Sequence, residues 1–320
     1  MKATIAANNV GTDLRKRFSL AARIKNELWQ NRFLYLLAIP VWAYYLLFCY
    51  LPMFGIVIAF KQYELGKGIL ECQWVGFKYF QEFFSGMYFG RLLRNTLLIS
   101  FYSILFSFPA PIIFALLMNE LRQRRFKKAV QTITYLPHFI SLVVMCGMVV
   151  DFLSSNGVLT RLFALFGGPE TNYVGDPKYF RAIYVISEIW QDVGWGSIIY
   201  LAALAGIDQQ LYEAAVIDGA GRWKQTLHVT LPGILPTIMI MLIMRMGQIL
   251  SLGYEKIILL YGPGTYAVGD VISSYVYRMG IGQSRYSYSS AVGLFQSVVN
   301  VLLLIAANTA SRRMTETSLF

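Results

Sequence analysis

Four long blocks of the sequence carry no Asp, Glu, Lys or Arg: residues 33–60, 95–119, 129–150 and 286–311. A helix that crosses a bilayer needs about 20 consecutive, mostly apolar residues, and each block supplies that length. Two further stretches are long and mainly apolar but interrupted by charge: residues 181–204 with Glu188 and Asp192, and residues 234–254 with Arg245. These patterns predict an all-α membrane protein with six transmembrane helices. The first block is about 42 Å long at 1.5 Å per residue, so it must tilt, bend or run past a hydrocarbon core of about 30 Å. Pro40, Pro52, Pro109, Pro111 and Pro137 fall within the spans, where proline bends helices and frees carbonyls that need other partners.

Composition agrees with this reading. Hydrophobic residues make up 56% of the 320-residue chain and charged residues 14%, against about 25% charged in a soluble domain. A net charge of +11 would suggest nucleic acid in a soluble protein, but here it follows the positive-inside rule. With the N-terminus in the cytoplasm, the inside segments 1–32, 120–133, 205–233 and 310–320 hold 16 Lys and Arg, against 9 in the outside segments 61–91, 155–180 and 253–290. The expected organisation is a cytoplasmic segment 1–32, a transmembrane domain 33–309 with a cytoplasmic loop 205–233, and a cytoplasmic tail 310–320. The basic runs at 15–17 and 122–128 read as topology signals and lipid-headgroup contacts, with no nucleic acid partner. No cleaved signal peptide is expected, because the first apolar run far exceeds a signal h-region.

Several chemistries find no support. The two histidines, His138 and His228, lie far apart, and no His and Cys pair has zinc spacing. Gly66–Lys67 lacks the first glycine of a phosphate loop, since Lys61 stands there. The run GPGTYAVG at 262–269 follows no βαβ pattern. No catalytic, metal or cofactor-binding residue is expected, so any ATP energy must come from another subunit.

Within residues 181–204, Glu188, Gln191, Asp192 and Trp195 are spaced i, i+3, i+4, i+7 and share a helix face. A charge at the bilayer centre costs about 2.5–3.5 kcal/mol, so this face should meet the bundle interior or water. With Trp190 and Trp195 bracketing the carboxylates, it suits a sugar: a ring face on the indole, hydroxyls on amide and carboxylate. Packing against neighbouring helices and a Glu188 placed near the outer headgroups are the other readings. Arg245 and Gln248 share a face of the next span, and Arg245 needs either an internal carboxylate or an acidic substrate. Arg94 is expected to reach the outer interface.

Residues 213–236, EAAVIDGAGRWKQTLHVTLPGILP, are too polar for a bilayer and too short to fold alone. Asp208 can cap a helix through QQLYEAAVI, and Gly219 can end it in a left-handed conformation. A second amphipathic segment follows, with Leu231–Pro232 expected to stop it. Such a surface helix suits docking into a groove on a partner; lying flat on the membrane is the other reading.

The spacing Glu213-Ala214-Ala215, three residues, Gly219, nine residues, Val229-Thr230-Leu231-Pro232 resembles the EAA loop of binding-protein-dependent ABC importer permeases, with Val for Ile as the one departure. The wider stretch is similar to the carbohydrate-uptake, maltose-type branch. GYEKIILLYGPGTYAVGDVISSYVYR at 253–278 resembles its oligosaccharide and polysaccharide permeases. The resemblance covers roughly residues 30–315. It implies a type I ABC importer fold in a bacterial cytoplasmic (inner) membrane. Glu213, Ala214, Ala215, Asp218, Gly219, Leu231 and Pro232 would form the coupling loop, docked on one of two cytoplasmic ATPase subunits that bind ATP and Mg. A second homologous permease and an external solute-binding protein would complete the assembly. The implied substrate is an oligosaccharide, including uronate-rich types such as alginate or pectic fragments. The alternatives are a permease for another solute class such as peptides, a proton-coupled secondary transporter using Glu188 or Asp192, and a membrane enzyme using the same pair.

Overall fold

The structure is a computed structural model that describes residue 27 and residues 29–315. Most of the expected cytoplasmic segment 1–32, including the basic run at 15–17, lies outside the described residues, as do residues 316–320 of the expected tail. The chain divides into two units, residues 1–57 and 58–320. In the first, helix α1 (Arg32–Tyr44) continues through a widened turn, Tyr45–Tyr50, into Leu51–Met53. The second is a helical bundle with one two-stranded antiparallel hairpin, β1 (Lys61–Gln62) and β2 (Gln73–Trp74), pairing Lys61 with Trp74 and Gln62 with Gln73.

Among the described residues, five helical stretches are long and apolar enough to cross a membrane: Arg32–Phe60, Phe89–Glu120, Leu142–Leu165, Arg222–Met246 and Tyr286–Arg313. A further helix, α8 (Pro177–Ala205), is 29 residues long. Glu188, Gln191 and Asp192 leave it less apolar than the other five.

Three prolines pass through these helices without breaking them, by one device. Leu51, Phe108 and Leu231 each precede a proline, and each donates its N–H five residues back, to the carbonyls of Leu46, Ser103 and Thr226. A proline has no N–H, and its ring collides with the carbonyl one turn earlier. A single π-type turn moves that carbonyl aside and keeps the ladder closed. Hence Leu231–Pro232 does not stop a helix, contrary to the sequence expectation. The short helix α10 (Arg222–Gln225), the π turn Thr226–Thr230 and helix α11 (Leu231–Met246) form one rod. The expected span 234–254 therefore begins well before residue 234 and ends at Met246.

Residues 129–150 also depart from expectation. Helix α5 (Arg124–Tyr135) ends in a 3-10 turn, Leu136–Phe139, at Pro137. Ile140 is extended, and α6 (Leu142–Leu153) restarts under Ser141, whose side chain accepts from Val144 N. Absence of charge could not separate a turn packed in apolar surroundings from a helix.

Helix α8 starts at Pro177, with the Asp176 side chain accepting from Lys178 N at 2.8 Å, a favourable N-cap followed by proline at the first helical position. Two of the three buried clusters are strung along it. Phe180, Tyr184 and Val185 join Ile99, Met145 and Ile257 near its start; Tyr200 and Leu204 join Ile112, Ala115 and Ile234 near its end. The third cluster ties α2 (Lys78–Ser85) and α3 (Phe89–Tyr102) to α15 (Tyr286–Thr315) through Phe83, Leu92, Tyr288 and Val292. Outward-facing side chains include Phe101, Ile113, Leu117 and Leu302, which suits hydrocarbon surroundings.

Gly194 lets α8 and α5 touch. A Cβ there would overlap the Thr134 carbonyl, whereas one at Gly293 in α15 meets nothing within 4 Å. Gly194→Ala is therefore expected to destabilise by about 1–3 kcal/mol through overpacking, although alanine is the better helix former by about 1 kcal/mol. Gly293→Ala should be neutral or stabilising. Thermal unfolding of the two variants in one detergent checks the opposite signs.

Candidate functional site

Along α8 the charged side chains do not share one environment. Glu188 is held from three sides, its side chain 18% exposed. Arg245 Nη2 donates to its Oε1 at 2.5 Å, and the hydroxyls of Ser103 and Ser107 donate to Oε2 at 2.5 and 3.0 Å. Arg245 Nη2 also donates to Ser103 Oγ. Arg245 is thus paired internally, one of the two readings the sequence left open. The serines sit four apart on the π turn Ser103–Ser107, just before Pro109 and helix α4 (Pro109–Glu120). Sequence reasoning missed both, though two hydroxyls one turn apart in an uncharged span are a readable signal for a polar partner across the bundle.

Asp192 meets a different partner. His138 Nδ1 lies 2.8 Å from its Oδ1, and the His138 ring stacks on Trp195, centroids 4.6 Å apart and planes 4° apart. His138 comes from the 3-10 turn that interrupts residues 129–150, and no local pattern points it toward Asp192. Gln191 Nε2 donates to the Ile140 carbonyl at 3.3 Å, occupying an acceptor that the same turn frees. Trp190 does not bracket the carboxylates. It lines an apolar groove of about 800 Å³ with Met148, Phe152, Phe163 and Ile186. Glu188, Asp192, Arg245 and Gln248 do come together, on a cleft of about 300 Å³ closed by Phe108, Pro111, Tyr200 and Met241. A face with anions, a cation and an amide over apolar walls can hydrogen-bond a polyhydroxylated solute.

Beyond the C-terminal end of α8 stands a separate structure. Helix α9 (Gln209–Ile217) is capped by Asp208, whose side chain accepts from Gln210 N at 3.0 Å. It ends at Gly219, φ +73°. Ala220 N donates to Ala215 O at 2.8 Å and Gly219 N to Val216 O at 3.0 Å, the two bonds of a Schellman termination. The left-handed φ explains the glycine. Glu213, Ala214 and Asp218 are exposed and Ala215 half-buried; Leu211, Val216 and Ile217 are also exposed. Ala214, Ala215 and Asp218 border a cavity of about 500 Å³ with Lys224 and His228. Tyr212 Oη bonds Thr230 Oγ1 at 3.0 Å, Gln225 Nε2 donates to Ala220 O at 2.7 Å, and Arg222 Nη1 pairs with Glu120 Oε2 at 3.3 Å. These contacts fasten α9 to the rod of α10 and α11, and the rod to the end of α4. Leu231 and Pro232 lie within that rod.

The family described as "Binding-protein-dependent transport system inner membrane component" matches residues 83–316. Protein LplB of Bacillus subtilis (strain 168) is 44% identical over 306 residues, covering 95% of each chain. The polygalacturonan/rhamnogalacturonan transport system permease protein YteP of the same organism is 42% identical over 299 residues, covering 93% of each. Among solved structures, a bacterial alginate ABC transporter in complex with an alginate pentasaccharide-bound periplasmic protein has a chain 43% identical to this one. The TM-score is 0.86, with 93% of this chain and 100% of that one covered.

Proposed function

Because the chain belongs to the family of binding-protein-dependent transport system inner membrane components, we propose that it is the permease subunit of an ATP-driven importer for uronate-containing oligosaccharides. The observation that carries this reading is α9. It is a capped, Schellman-terminated helix with exposed apolar residues and Glu213-Ala214-Ala215 at its centre, placed where α8 ends. Small residues allow close approach to a partner. A cytoplasmic ATPase subunit that binds ATP and Mg is the partner on this reading. Glu213 supplies its charge, Ala214 and Ala215 the close approach, and Asp218 and Gly219 the turn.

In this proposal α8 is the sixth crossing, and its polar residues face the pathway rather than lipid. Both termini then lie in the cytoplasm of a bacterial cell bounded by its inner membrane. A second permease pairs with this chain, two ATPases dock below, and an external binding protein delivers the sugar. Movement of α9 is passed to α11 through Tyr212 and Gln225, and to α4 through Arg222 and Glu120. Since α4 packs against the C-terminal half of α8, with Pro111 at Gly196 and Ile112 and Ala115 beside Tyr200 and Leu204, the shift reaches the cleft that holds Glu188, Asp192, Arg245 and Gln248. The uronate reading draws on the relatives: one is named for polygalacturonan and rhamnogalacturonan, another for alginate.

Purification of the tagged chain from mild detergent tests the assembly. The expected result is co-purification of two kinds of partner, a second permease and an ATPase, with ATP hydrolysis stimulated by the loaded binding protein. A lone chain that transports in vesicles without ATP would overturn it.

A further inference from the structure

One cluster of charge remains uncompensated. Arg91 and Arg94 lie in the first two turns of α3, Arg181 near the start of α8, and Arg278 directly after helix α14 (Ile272–Tyr277). Among the described residues, the only carboxylate paired with any of them is Asp270. Arg278 takes both its oxygens, at 3.2 and 2.7 Å, and Arg91 Nη2 stands 3.9 Å away. Arg181 Nη2 donates to a neutral acceptor, Asn95 Oδ1, at 3.0 Å. Asn95 is 2% exposed, and its amide nitrogen donates to the carbonyls of Ala267 and Asp270, which fixes the oxygen toward Arg181. Arg94 is exposed and makes no ion pair among the described residues. The Nε atoms of Arg91 and Arg181 are buried and have no acceptor.

Arg91, Arg94, Asn95 and Arg181 line a cleft of about 470 Å³ with Gly90, Ala267 and Val268, within the range of about 300–1,000 Å³ common for small-molecule sites. Arg91 and Arg94 also sit at the positive end of a 14-residue helix, where cations are unfavourable. Three guanidiniums around a cleft that no carboxylate lines call for an anion. Guanidinium forks match a planar carboxylate in two parallel bonds. Half-exposed Tyr88, under Arg91 at 4.8 Å, and Tyr266, beside Arg278 at 5.7 Å, offer ring faces to a sugar.

We infer that this cleft is an entry site for the carboxylate of an acidic oligosaccharide. The inference rests on the importer reading, because that places α9 in the cytoplasm. Arg181 then lies about 36 Å up the same helix from Ala205, at 1.5 Å per residue, on the outer side. Arg181 also shares a face of α8 with Glu188, seven residues on, so a sugar released from the entry site moves down the face that carries the inner cleft.

The test uses the complete complex with its partner subunits in lipid nanodiscs, without binding protein. Trigalacturonate and its carboxyl-reduced, neutral counterpart are titrated into wild type, Arg94→Gln and Arg94→Gln/Arg181→Gln. Arg94 makes no ion pair to lose, so its variant keeps the fold. The expected result is salt-sensitive trigalacturonate binding that weakens about tenfold with each arginine removed, with the neutral sugar unaffected. Equal binding of trigalacturonate by all three proteins overturns the proposal. So does normal sugar binding combined with lost docking of the sugar-free binding protein, which assigns the cluster to acidic residues of that protein. ATP-driven uptake with binding protein present separates the two readings. Intact uptake with arginine-independent binding sinks the entry site alone, while no wild-type uptake of any oligosaccharide sinks the importer reading.

Discussion

Glu213→Lys is expected to abolish ATP-driven uptake while the chain still inserts and folds. Glu213 is exposed and makes no ion pair among the described residues, so its loss costs the isolated chain little; exposed substitutions usually change stability by less than about 0.5 kcal/mol. The helix does not depend on it either. Asp208 caps one end and the Gly219 turn closes the other. What the substitution reverses is the charge presented to a partner, and like charges at a close contact cost several kcal/mol. A loss of that size in docking decouples the ATPases entirely. The checks are sugar uptake in whole cells, membrane levels of the chain, and the amount of ATPase subunit retained on purification. Glu213→Gln, which removes the charge without reversing it, should retain part of the docking. Normal uptake by Glu213→Lys would sink the coupling role of α9.

Much of this was legible in the sequence, for physical reasons that differ between regions. Helix α9 could be read because its determinants are local: an N-cap aspartate and a glycine at the left-handed position act over a dozen residues. The apolar crossings could be read because length and absence of charge define them. Local rules failed where a residue's role depends on a distant partner. Pro232 reads as a stop, yet a π turn starting at Thr226 carries the helix through it. Pro137 sits in a block of the same apolar character and does break it. The difference lies in what receives the freed carbonyls: Gln191 reaches the Ile140 carbonyl from α8, and no local pattern announces that. Glu188 and Asp192 look alike on a helical wheel but take unrelated partners, an arginine with two serines and a histidine stacked on tryptophan. Their spacing marked a polar face without distinguishing the two environments.

That difference leads to an asymmetric expectation for Glu188. Glu188→Ala leaves Arg245 with the Ser103 hydroxyl and no counter-charge, in a site that the bundle largely closes. Removing one partner of a buried pair costs about 3–5 kcal/mol; the Arg245 side chain keeps 38% exposure, so water offsets part of this and about 3 kcal/mol is expected. The double variant Glu188→Gln/Arg245→Met removes both members of the pair, so neither is left facing a missing partner; buried Lys256 keeps its bond to the Tyr184 carbonyl. Its glutamine can still accept from the serine hydroxyls, and methionine fills the volume of the arginine stem, so it should be markedly more stable than either single charge deletion. Thermal unfolding of the purified complex in one detergent measures this ordering. Uptake should run the other way, because the double variant loses two of the three charges that face the cleft. A double variant that is stable yet inactive separates the two duties of the pair, holding α8 against α3 and α11 and presenting charge to a passing sugar. A double variant less stable than Glu188→Ala would mean instead that the ion pair contributes net stability beyond the relief of a stranded arginine.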